Sequence, residues 1–590
     1  MLNELRKLMK ERNIDIYIIT SGDAHSSEYV GDYWKLRSFI TGFTGSAGVA
    51  AITQEKAILW TDGRYFIQAA KELKGFELYK SGIKGVPTLA NFLAKELPKG
   101  GKIGFDGRTA SYEWFENIKK SLEGKDAKFA FDEDVAGLLW KERPALPKGV
   151  AFEHEPRFAG ISAAEKLQKV REKMKEKGFG EYLVTALDDI AWLLNIRGND
   201  VKYSPVVYAF VFITEEAAQV FVDSAKLADI QAKITSQGFQ IHEYAAVNDY
   251  VKSFRSGKLF FNGTKTNVLL AGLVDKNVVV ESKATEDILQ LLKSIKSKHE
   301  LENIRKAYIR EGAALVRTFK WIEDLKKSGE IAKIHEADVM KKLTEFREYG
   351  ENFMNDSFST IAAYGANAAS AHYHAEGDGA KLAGEGFLLV DTGGQYLDGT
   401  TDTTRTIPLG PITDEMKKDY TLVLQCHIAI AQAAFVSGTT GHALDVLGRM
   451  AMWKEGINFL HGVGHGIGYC LNVHEGPQGI APRHNPVALQ AGMLISNEPA
   501  LYREGKYGIR TENVVVVTEK VKNEFGEFLQ FETITFCPIN TEAINLGMLT
   551  ENEKTWLDNY HEETYVKLSP LLDEDEKAWL KNVTKPVSTP

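Results

Sequence analysis

Cysteine is scarce in this chain of 590 residues, which contains only Cys426, Cys470 and Cys537. Three scattered thiols are too few to staple a protein of this size with disulfides, so we expect a reduced, cytoplasmic protein. The chain also lacks a CxxC pair, so a structural zinc site is not indicated. Cys470 follows a run rich in glycine and histidine, but it has no evident basic neighbour. A small buried thiol is therefore its expected role, rather than a nucleophile.

Long apolar runs and an excess of positive charge are also missing. No stretch approaches the roughly 18 apolar residues of a membrane span. The first twenty residues, MLNELRKLMKERNIDIYIIT, lack the apolar core and the small-residue cleavage site of a secretory signal. The net charge is −9, and 26% of the residues are charged. We therefore expect neither nucleic acid nor a membrane as a partner.

An internal repeat occupies the first half of the chain, which at 590 residues is long enough for three to four domains of about 150 residues. The helix-like LNELRKLMKERN leads into DIYIITSGD, and SAAEKLQKVREKMKEKG leads into EYLVTALDD in the same way. Residues that align between the two copies are Tyr17 with Tyr182, Thr20 with Thr185, Asp23 with Asp188 and, at a slightly shorter offset, Asp62 with Asp223. The repeat predicts two similar α/β domains in tandem.

Two helix-start signals divide the chain into three predicted domains. Ser162 with Glu165 forms a capping box after the proline-rich ERPALPKGVAFEHEPRF, and Ser297 with Glu300 forms another. The predicted domains are residues 1–150, 151–297 and 298–590.

The third predicted domain mixes helix and strand patterns. Its first helix should bury one apolar face, made of Leu301, Ile304, Tyr308, Leu315, Phe319 and Ile322. Predicted helices are 300–327, 412–433 and 441–455, and predicted β segments are 358–363, 386–409, 493–500 and 508–536. A helical tail from Asn552 to Pro590, anchored by Trp556 and Trp579, should follow. This pattern predicts an α+β domain with helices on a curved antiparallel sheet.

Five side chains that can bind metal interrupt apolar, glycine-punctuated runs in the last third of the chain: Asp391, Asp402, His465, Glu498 and Glu512. The runs are FLLVDTGGQYLDGTTDTTRT, HGVGHGIG, LISNEPALY and YGIRTENVVVV. One such acid would ordinarily be a strand-end turn residue. Two hairpins could instead bring the four acids together, and four carboxylates with one neutral imidazole match the charge of two divalent ions about 3.5 to 4 Å apart.

Histidines surround this set. HGVGHGIG places His461 four residues before His465, which puts both on one face of a strand or a helix. A phosphate loop is rejected because no Lys-Ser/Thr follows, so the glycines should instead let backbone and substrate approach the metals. His474 in NVHEGP, and His372 and His374 in AHYHAEGDG, join the candidate site. One imidazole among carboxylates favours Mn²⁺, with Zn²⁺ or Co²⁺ as alternatives.

These motifs resemble the pita-bread metallopeptidase family that includes methionine aminopeptidase, prolidase and aminopeptidase P. The resemblance to the long, three-domain cytosolic form of aminopeptidase P runs through all five ligand positions. It extends to RSFITGFTGSAG and WTDGRYF in the first domain, WLLNIRGND in the second and WLDNYH in the tail. The implied fold is two tandem creatinase-type N-terminal α/β domains followed by a C-terminal pita-bread catalytic domain.

The resemblance also implies a reaction, the release of the N-terminal residue from peptides with proline in second position. One metal would be held by Asp391, Asp402 and Glu512, and the other by Asp402, His465, Glu498 and Glu512. A hydroxide bridging the metals would attack the scissile carbonyl, with Glu498 moving the proton. His461 and His474 would hydrogen-bond the substrate, His372 would line its pocket, and Arg510 would orient Glu512 or Asp402. A homodimer formed through the third domain is implied as well.

Two other functions stay open at this point. A prolidase would cut only Xaa-Pro dipeptides, but prolidases of this family usually have a single N-terminal domain. A binding module without catalysis, like the histone-chaperone relatives of the family, should show eroded ligands and an acidic tail. Here all five ligands are intact, and the tail LSPLLDEDEKAWLKNVTKPVSTP is mixed in charge.

Overall fold

The computed structural model of this protein describes residues 1–588. Two compact units divide the chain. The first contains residues 1–155 and 161–289, and the second contains residues 156–160 and those from 290 onward. No helix among the described residues is long and apolar enough to cross a bilayer.

The first unit contains two six-stranded mixed sheets with the same strand order. The first sheet runs Glu77–Lys80, Ala57–Thr61, Val49–Ile52, Ile16–Ile19, Lys102–Gly104 and Lys128–Ala130. The second runs Gln240–His242, Ala218–Val222, Ala209–Thr214, Glu181–Val184, Gly257–Phe261 and Val278–Glu281. Each pair of neighbouring strands in the first sheet has the same relative direction, parallel or antiparallel, as the matching pair in the second. The predicted tandem repeat is thus confirmed at the level of topology.

Helices cover both sheets of this unit. Those of the first copy are Leu2–Glu11, Leu36–Thr41, Phe66–Glu72, Leu89–Glu96 and Tyr112–Ser121. Those of the second are Ala163–Lys177, Leu187–Leu194, Gln231–Ser236, Val247–Ser253 and Val268–Ala271. The predicted capping box of Ser162 and Glu165 opens the helix Ala163–Lys177.

The aligned tyrosines of the repeat occupy the same position in their central strands. Tyr17 and Tyr182 are each the second residue of the strand, and both are buried. The Tyr17 hydroxyl accepts a hydrogen bond from the backbone N–H of Ala136, whereas the Tyr182 hydroxyl donates to the carboxylate of Asp287. Each tyrosine hydroxyl therefore binds the segment that follows the last strand of the tyrosine's own sheet.

The second unit is built on antiparallel sheets. The largest has six strands in the order Ala434–Val436, Gly526–Thr533, Asn513–Asn523, Leu494–Asn497, Gly464–Gly466 and Glu475–Ile480. Two three-stranded sheets consist of Ile361–Tyr364, Phe387–Thr392 and Thr403–Pro408, and of Phe353–Asp356, Gly394–Tyr396 and Gly399–Thr400. Ala500–Arg503 and Tyr507–Arg510 form a separate hairpin.

Seven α-helices lie in the described part of the second unit beyond residue 297: Lys298–Ser328, Glu336–Arg347, Asp414–Ala431, Gly441–Leu444, Met450–Lys454, Glu551–Leu568 and Glu574–Val583. The capping box of Ser297 and Glu300 opens the first of them, as predicted. Five of the six residues predicted for its apolar face are buried, and Leu301 is half-buried.

Three sequence predictions need correction here. The predicted helix 441–455 is two short helices, Gly441–Leu444 and Met450–Lys454. Gly448, in the turn between them, packs so closely on Val463 that a Cβ there would lie 2.8 Å away. The helix Glu336–Arg347 was not predicted. The tail is helical to Val583 rather than to the end, and its last two residues lie outside the described range.

Candidate metal centre

Four carboxylates come from the ends of paired strands. Asp391, in strand Phe387–Thr392, pairs with Thr404, and Asp402 directly precedes the strand that carries Thr404. In the large sheet Asn497 pairs with Asn513, so Glu498 and Glu512 lie immediately beyond that pair. The predicted hairpin at Asp391 and Asp402 is confirmed.

The second predicted hairpin is also present, with its turn in REGKYG. Its strands next to that turn form a separate two-stranded ladder, in which Ala500 pairs with Arg510. The two glutamates therefore lie where one antiparallel ladder ends and another begins. This break frees both side chains from regular sheet packing while their backbones stay fixed on either side.

His465 supplies the one imidazole of the set from the short strand Gly464–Gly466. Its Nδ1 lies 2.9 Å from the Gly466 carbonyl, which can only accept, so Nδ1 carries the proton. The Nε2 lone pair then faces Asp402 Oδ2 and Glu498 Oε1, each at 3.4 Å. Three acceptors this close repel one another unless a cation lies among them.

The glycines around His465 let neighbouring strands approach closely. A Cβ on Gly464 would lie 1.8 Å from the Ser496 carbonyl oxygen, and one on Gly466 would lie 2.3 Å from that of Glu475. Any side chain at either position would push the strand of His465 away from its neighbours. The prediction that these glycines give a substrate access to the metals stays a prediction.

The predicted side chains converge in three overlapping groups, within each of which one ligand atom per residue lies within 4.8 Å of the others. The groups are Asp391, Asp402 and Glu512; His465, Glu498 and Glu512; and Asp402, His465 and His474. Glu512, Asp402 and His465 each belong to two of the three groups. All five residues singled out in the sequence, together with His474, thus meet at one place.

The electrostatics of this cluster fit a pair of divalent cations. Burial and the negative charge of Asp391 raise the pKa of Asp402 to about 6. Burial and the charge of Asp402 also raise the pKa of Glu512 well above its usual value. Asp391 Oδ1 is buried without a hydrogen-bond partner in the described structure. Crowded, hard oxygen donors of this kind are the ligands that carboxylate-rich dinuclear sites use.

Arg510 contacts a different carboxylate from the one predicted. Its guanidinium forms an ion pair with Asp391, not with Glu512 or Asp402. It also donates to Thr404 Oγ1 at 3.2 Å, and that hydroxyl donates to Glu512 Oε2 at 2.7 Å. Arg510 therefore holds Asp391 directly and Glu512 through one hydroxyl. The predicted role toward Glu512 therefore runs through the Thr404 hydroxyl.

His461 is engaged by the protein at both ring nitrogens. Nδ1 lies 2.8 Å from the Gly462 carbonyl oxygen, and Nε2 lies 3.0 Å from the Tyr502 hydroxyl. That hydroxyl accepts from Arg510 Nη1 at 2.6 Å, so its own proton is directed at His461 Nε2. Desolvation lowers the pKa of His461, which keeps the ring neutral. A relay Asp391–Arg510–Tyr502–His461 thus borders the cluster.

The remaining histidines occupy different places. The His474 ring lies 4.3 Å from that of His465, nearly perpendicular to it. His372 is half-buried and His374 exposed, in the irregular segment between the strands Ile361–Tyr364 and Phe387–Thr392. Neither of these two belongs to a ligand group among residues 1–588. The structure therefore brings His474 into the metal cluster but not His372.

Sequence reasoning missed three hydroxyls that serve the cluster. Thr404 binds Glu512, Tyr502 joins Arg510 to His461, and Ser496 Oγ donates to Glu498 Oε1 at 3.3 Å. A weak signal existed for Thr404, because Thr404 and Thr406 alternate along the strand that begins directly after Asp402. Tyr502 has no local signal, since its partners come from other strands.

Comparison with known proteins places the chain in a family. A relative from Laccaria bicolor, described as a probable Xaa-Pro aminopeptidase P, is 42% identical over 97% of this chain and 90% of its own length. The chain belongs to metallopeptidase family M24. That family matches residues 302–519, the creatinase/prolidase N-terminal domain matches residues 1–142 and again 142–300, and the C-terminal region of peptidase M24 matches residues 527–587.

Other similar proteins agree with this M24 assignment. Aminopeptidase P2 from Arabidopsis thaliana is 36% identical over the whole of this chain and 88% of its own. A crystal structure of X-prolyl aminopeptidase from Caenorhabditis elegans, described as a cytosolic enzyme with a di-nuclear active site, has 33% identity and a TM-score of 0.94 over 99% of both chains. The fold class predicted from the sequence is confirmed.

A prolidase-type structure matches only part of this M24 chain. Xaa-Pro dipeptidase from Bacillus anthracis has 25% identity and a TM-score of 0.51, and covers 64% of this chain but 99% of its own. The dipeptidase thus lacks a counterpart for about a third of the present chain.

Proposed function

We propose that this chain is a metalloaminopeptidase that releases the N-terminal residue from peptides with proline in the second position. The observation that carries the proposal is the convergence of four carboxylates and one imidazole, within an M24 chain similar over its full length to proteins named Xaa-Pro aminopeptidase. Dipeptide-only hydrolysis is disfavoured because the prolidase-type match leaves part of the chain uncovered.

Two divalent ions fit the three ligand groups. We assign Asp391, Asp402 and Glu512 to one ion, and Asp402, His465, Glu498 and Glu512 to the other. Asp402 and Glu512 would be shared by both ions, which is supported because Asp402 meets Asp391 in one group and His465 in another, and Glu512 meets Asp391 in one and Glu498 in another. Carboxylate dominance favours Mn²⁺ over Zn²⁺ or Co²⁺. When bound, such a pair acts as a Lewis acid that polarises the scissile carbonyl and lowers the pKa of an attacking water.

Glu498 is the proposed proton carrier. Its side chain is 19% exposed, more than the side chain of any of the other three acids in the cluster. It can take the proton of the attacking water and return it to the prolyl nitrogen as the peptide bond breaks. Ser496 holds Oε1, which leaves the second carboxylate oxygen free to move that proton.

The histidines bind the substrate in this proposal. His474 and His461 hydrogen-bond the substrate carbonyl and the tetrahedral oxyanion, and donors of this kind contribute roughly 3 to 4 kcal/mol each. For His461 this requires Nε2 to leave the Tyr502 hydroxyl and to carry a proton. His372 lines the pocket on the substrate side. Arg510 keeps Asp391 and Tyr502 in place.

The assignment is tested by comparing Arg-Pro-Pro with Gly-Pro as substrates, with and without added Mn²⁺. Release of arginine from the tripeptide is expected, and hydrolysis of the dipeptide alone would make the protein a prolidase. Glu498→Gln should reduce kcat by a factor of at least about 100. Absence of both metal uptake and hydrolysis in the unmodified protein would instead favour the catalytically silent binding module.

We further propose domain boundaries near residues 150 and 297, a cytoplasmic location and a homodimer formed through the third domain. The Caenorhabditis elegans enzyme is described as cytosolic, which supports the location. Four large apolar side chains exposed within fifteen residues, Val446, Met450, Trp453 and Leu460, support the dimer. Light scattering after size-exclusion chromatography should give a dimer mass that Trp453→Glu reduces to that of a monomer.

A further inference from the structure

A buried arginine lies behind the metal cluster without a carboxylate partner. Arg405 is 1% exposed, and all its acceptors are neutral. Nη1 donates to the carbonyls of Thr404 and Glu512, at 2.9 and 2.6 Å. A buried cation is costly unless its N–H groups are fully satisfied, and the six acceptors around Arg405 satisfy all five of its N–H groups. The arginine therefore holds the backbone of Glu512 on one side.

On its other side Arg405 reaches the C-terminal part of the chain. Nη2 donates to the Tyr560 hydroxyl and the Cys537 carbonyl, both at 2.8 Å, and Nε donates to the Pro538 carbonyl at 3.1 Å. Tyr560 belongs to the helix Glu551–Leu568. Its hydroxyl also lies 2.9 Å from the Cys537 carbonyl and accepts from the Cys537 N–H at 3.1 Å. One tyrosine thus joins the helix to the arginine and to its acceptors.

A second branch holds the backbone of Glu498. Arg405 Nη2 donates to Asn513 Oδ1 at 2.7 Å, and Asn513 Nδ2 donates to His427 Nε2 at 3.1 Å. Nδ1 of His427 therefore carries the proton, which it donates to the Asn497 carbonyl at 3.0 Å. Asn497 in turn donates to the His427 carbonyl at 2.8 Å.

The helix Glu551–Leu568 contacts this second branch as well. The Trp556 ring stacks on Tyr560 at 5.3 Å and meets the His427 ring edge-on at 5.8 Å. The residues next to Glu498 and Glu512, Asn497 and Asn513, are thus held by one hydrogen-bonded layer. The Tyr560 hydroxyl completes this layer by accepting from Arg405 Nη2 and from the Cys537 N–H.

We propose that Tyr560 and Arg405 are positioning residues. Through them the helix Glu551–Leu568 fixes Glu498 and Glu512 in the geometry that two divalent ions require. This inference rests on the proposed function, since it concerns the same metal cluster. Loss of the tyrosine hydroxyl leaves the Cys537 N–H without its acceptor and removes one of the three acceptors that fix Arg405 Nη2. Arg405 is then less firmly fixed, and with it the backbone carbonyl of Glu512 that Nη1 holds. Supporting hydrogen bonds behind metal ligands typically change metal affinity by about 10- to 100-fold.

The test is calorimetric titration of metal-free protein with Mn²⁺ alone, for the unmodified chain, Tyr560→Phe and Tyr565→Phe. Tyr565 lies on the same helix but packs against a different apolar cluster, with Phe536 and Leu568. We expect Tyr560→Phe to bind Mn²⁺ at least about 10-fold more weakly. At saturating Mn²⁺ its KM for Arg-Pro-Pro should equal that of the control.

Equal Mn²⁺ affinity in both variants would overturn the inference and leave the proposed function intact. Absence of Mn²⁺ binding in the unmodified chain would overturn the proposed function, and the inference with it. Arg405→Lys provides a second variant, because lysine keeps the charge but cannot reach the same acceptors. It should weaken Mn²⁺ binding at least as much as Tyr560→Phe does, and unchanged binding would count against the inference.

Discussion

Glu336 accepts a hydrogen bond from the Tyr373 hydroxyl at 2.7 Å, and Tyr373 directly follows His372. The same buried carboxylate accepts from the backbone N–H groups of Tyr364 and Ala380, both at 2.7 Å, and from the Asn367 amide at 3.0 Å. Glu336 therefore holds both ends and the middle of the segment that carries His372. This segment has little regular structure of its own.

Glu336→Gln should displace the His372 segment, because an amide must direct its own N–H groups at groups that also donate. We expect the free energy of unfolding to fall by about 1 to 3 kcal/mol and the KM for Arg-Pro-Pro to rise. Metal affinity should stay unchanged, since no proposed ligand lies on this segment. Glu345→Gln, on the same helix, is the matched control. Unchanged KM in Glu336→Gln would show that the segment does not bind substrate.

Arg510→Lys should weaken the metal site through Asp391. A lysine retains the charge but cannot hold Asp391, Thr404 and Tyr502 together with one planar fork. We expect a loss of about 10- to 100-fold in Mn²⁺ affinity or in kcat. Arg503→Lys is a control on the same hairpin, where Arg503 pairs with Asp419. Equal losses in both variants would mean that the hairpin as a whole, and not the contact with Asp391, matters.

A buried charge triad lies directly behind His474. Glu475 forms ion pairs with Lys296 and, at 3.3 Å, with Lys293, and the three side chains are at most 1% exposed. Glu475→Gln removes the buried carboxylate that pairs with both ammonium groups and should cost about 3 to 5 kcal/mol of unfolding free energy. Lys293→Met keeps the ion pair of Lys296 and Glu475 and should cost less than Glu475→Gln. Urea unfolding measures both, and a larger loss in Lys293→Met would contradict this charge accounting.

Acid should destabilise the protein through His427. Burial and the positive charge of Arg405 lower the pKa of His427 to about 3, below the value of about 6.5 in an unfolded chain. The unfolded state therefore takes up a proton that the folded state refuses as the pH falls below about 6.5. This one group should cost about 2 kcal/mol between pH 7.5 and pH 5.

The measurement is the free energy of unfolding across that pH range for the unmodified chain and His427→Gln. The variant should be less stable at pH 7.5 because it loses hydrogen bonds, yet its stability should fall less steeply toward pH 5. His442→Gln, at an exposed position, serves as the control. A slope in His427→Gln as steep as in the control would contradict the assignment.

The metal cluster could be predicted from the sequence because each ligand interrupts an apolar strand, where a lone carboxylate is costly. What surrounds the ligands could not. Thr404 and Glu512 are separated by 108 positions, and Arg405 and Tyr560 by 155. Nothing local in the sequence marks either contact. The two sheets of the first unit were predictable for the opposite reason, since a repeat is visible without knowing any long-range contact.

The helix Glu336–Arg347 shows how charge can hide a helix. Its buried positions are Glu336, Val339, Leu343 and Arg347, so half of the buried face is charged. Arg347 binds Glu311 and Asp356 in the interior. Apolar residues at helical spacing, Val339, Leu343 and Phe346, are present, but charged residues occupy both ends of the buried face. The hairpin that follows Glu498 was predicted with its turn in REGKYG, and the structure has that turn between strands of four residues each.

The paired tyrosines of the first unit carry a consequence for how this chain arose. Tyr17 and Tyr182 kept their strand position, yet one now binds a backbone N–H and the other a carboxylate. Each copy of a duplicated domain must keep its last segment bound to its sheet as the sequence changes, but the group on that segment that binds the tyrosine can differ. The common origin of the two copies is therefore better traced through the tyrosine in the central strand than through the partner to which its hydroxyl binds.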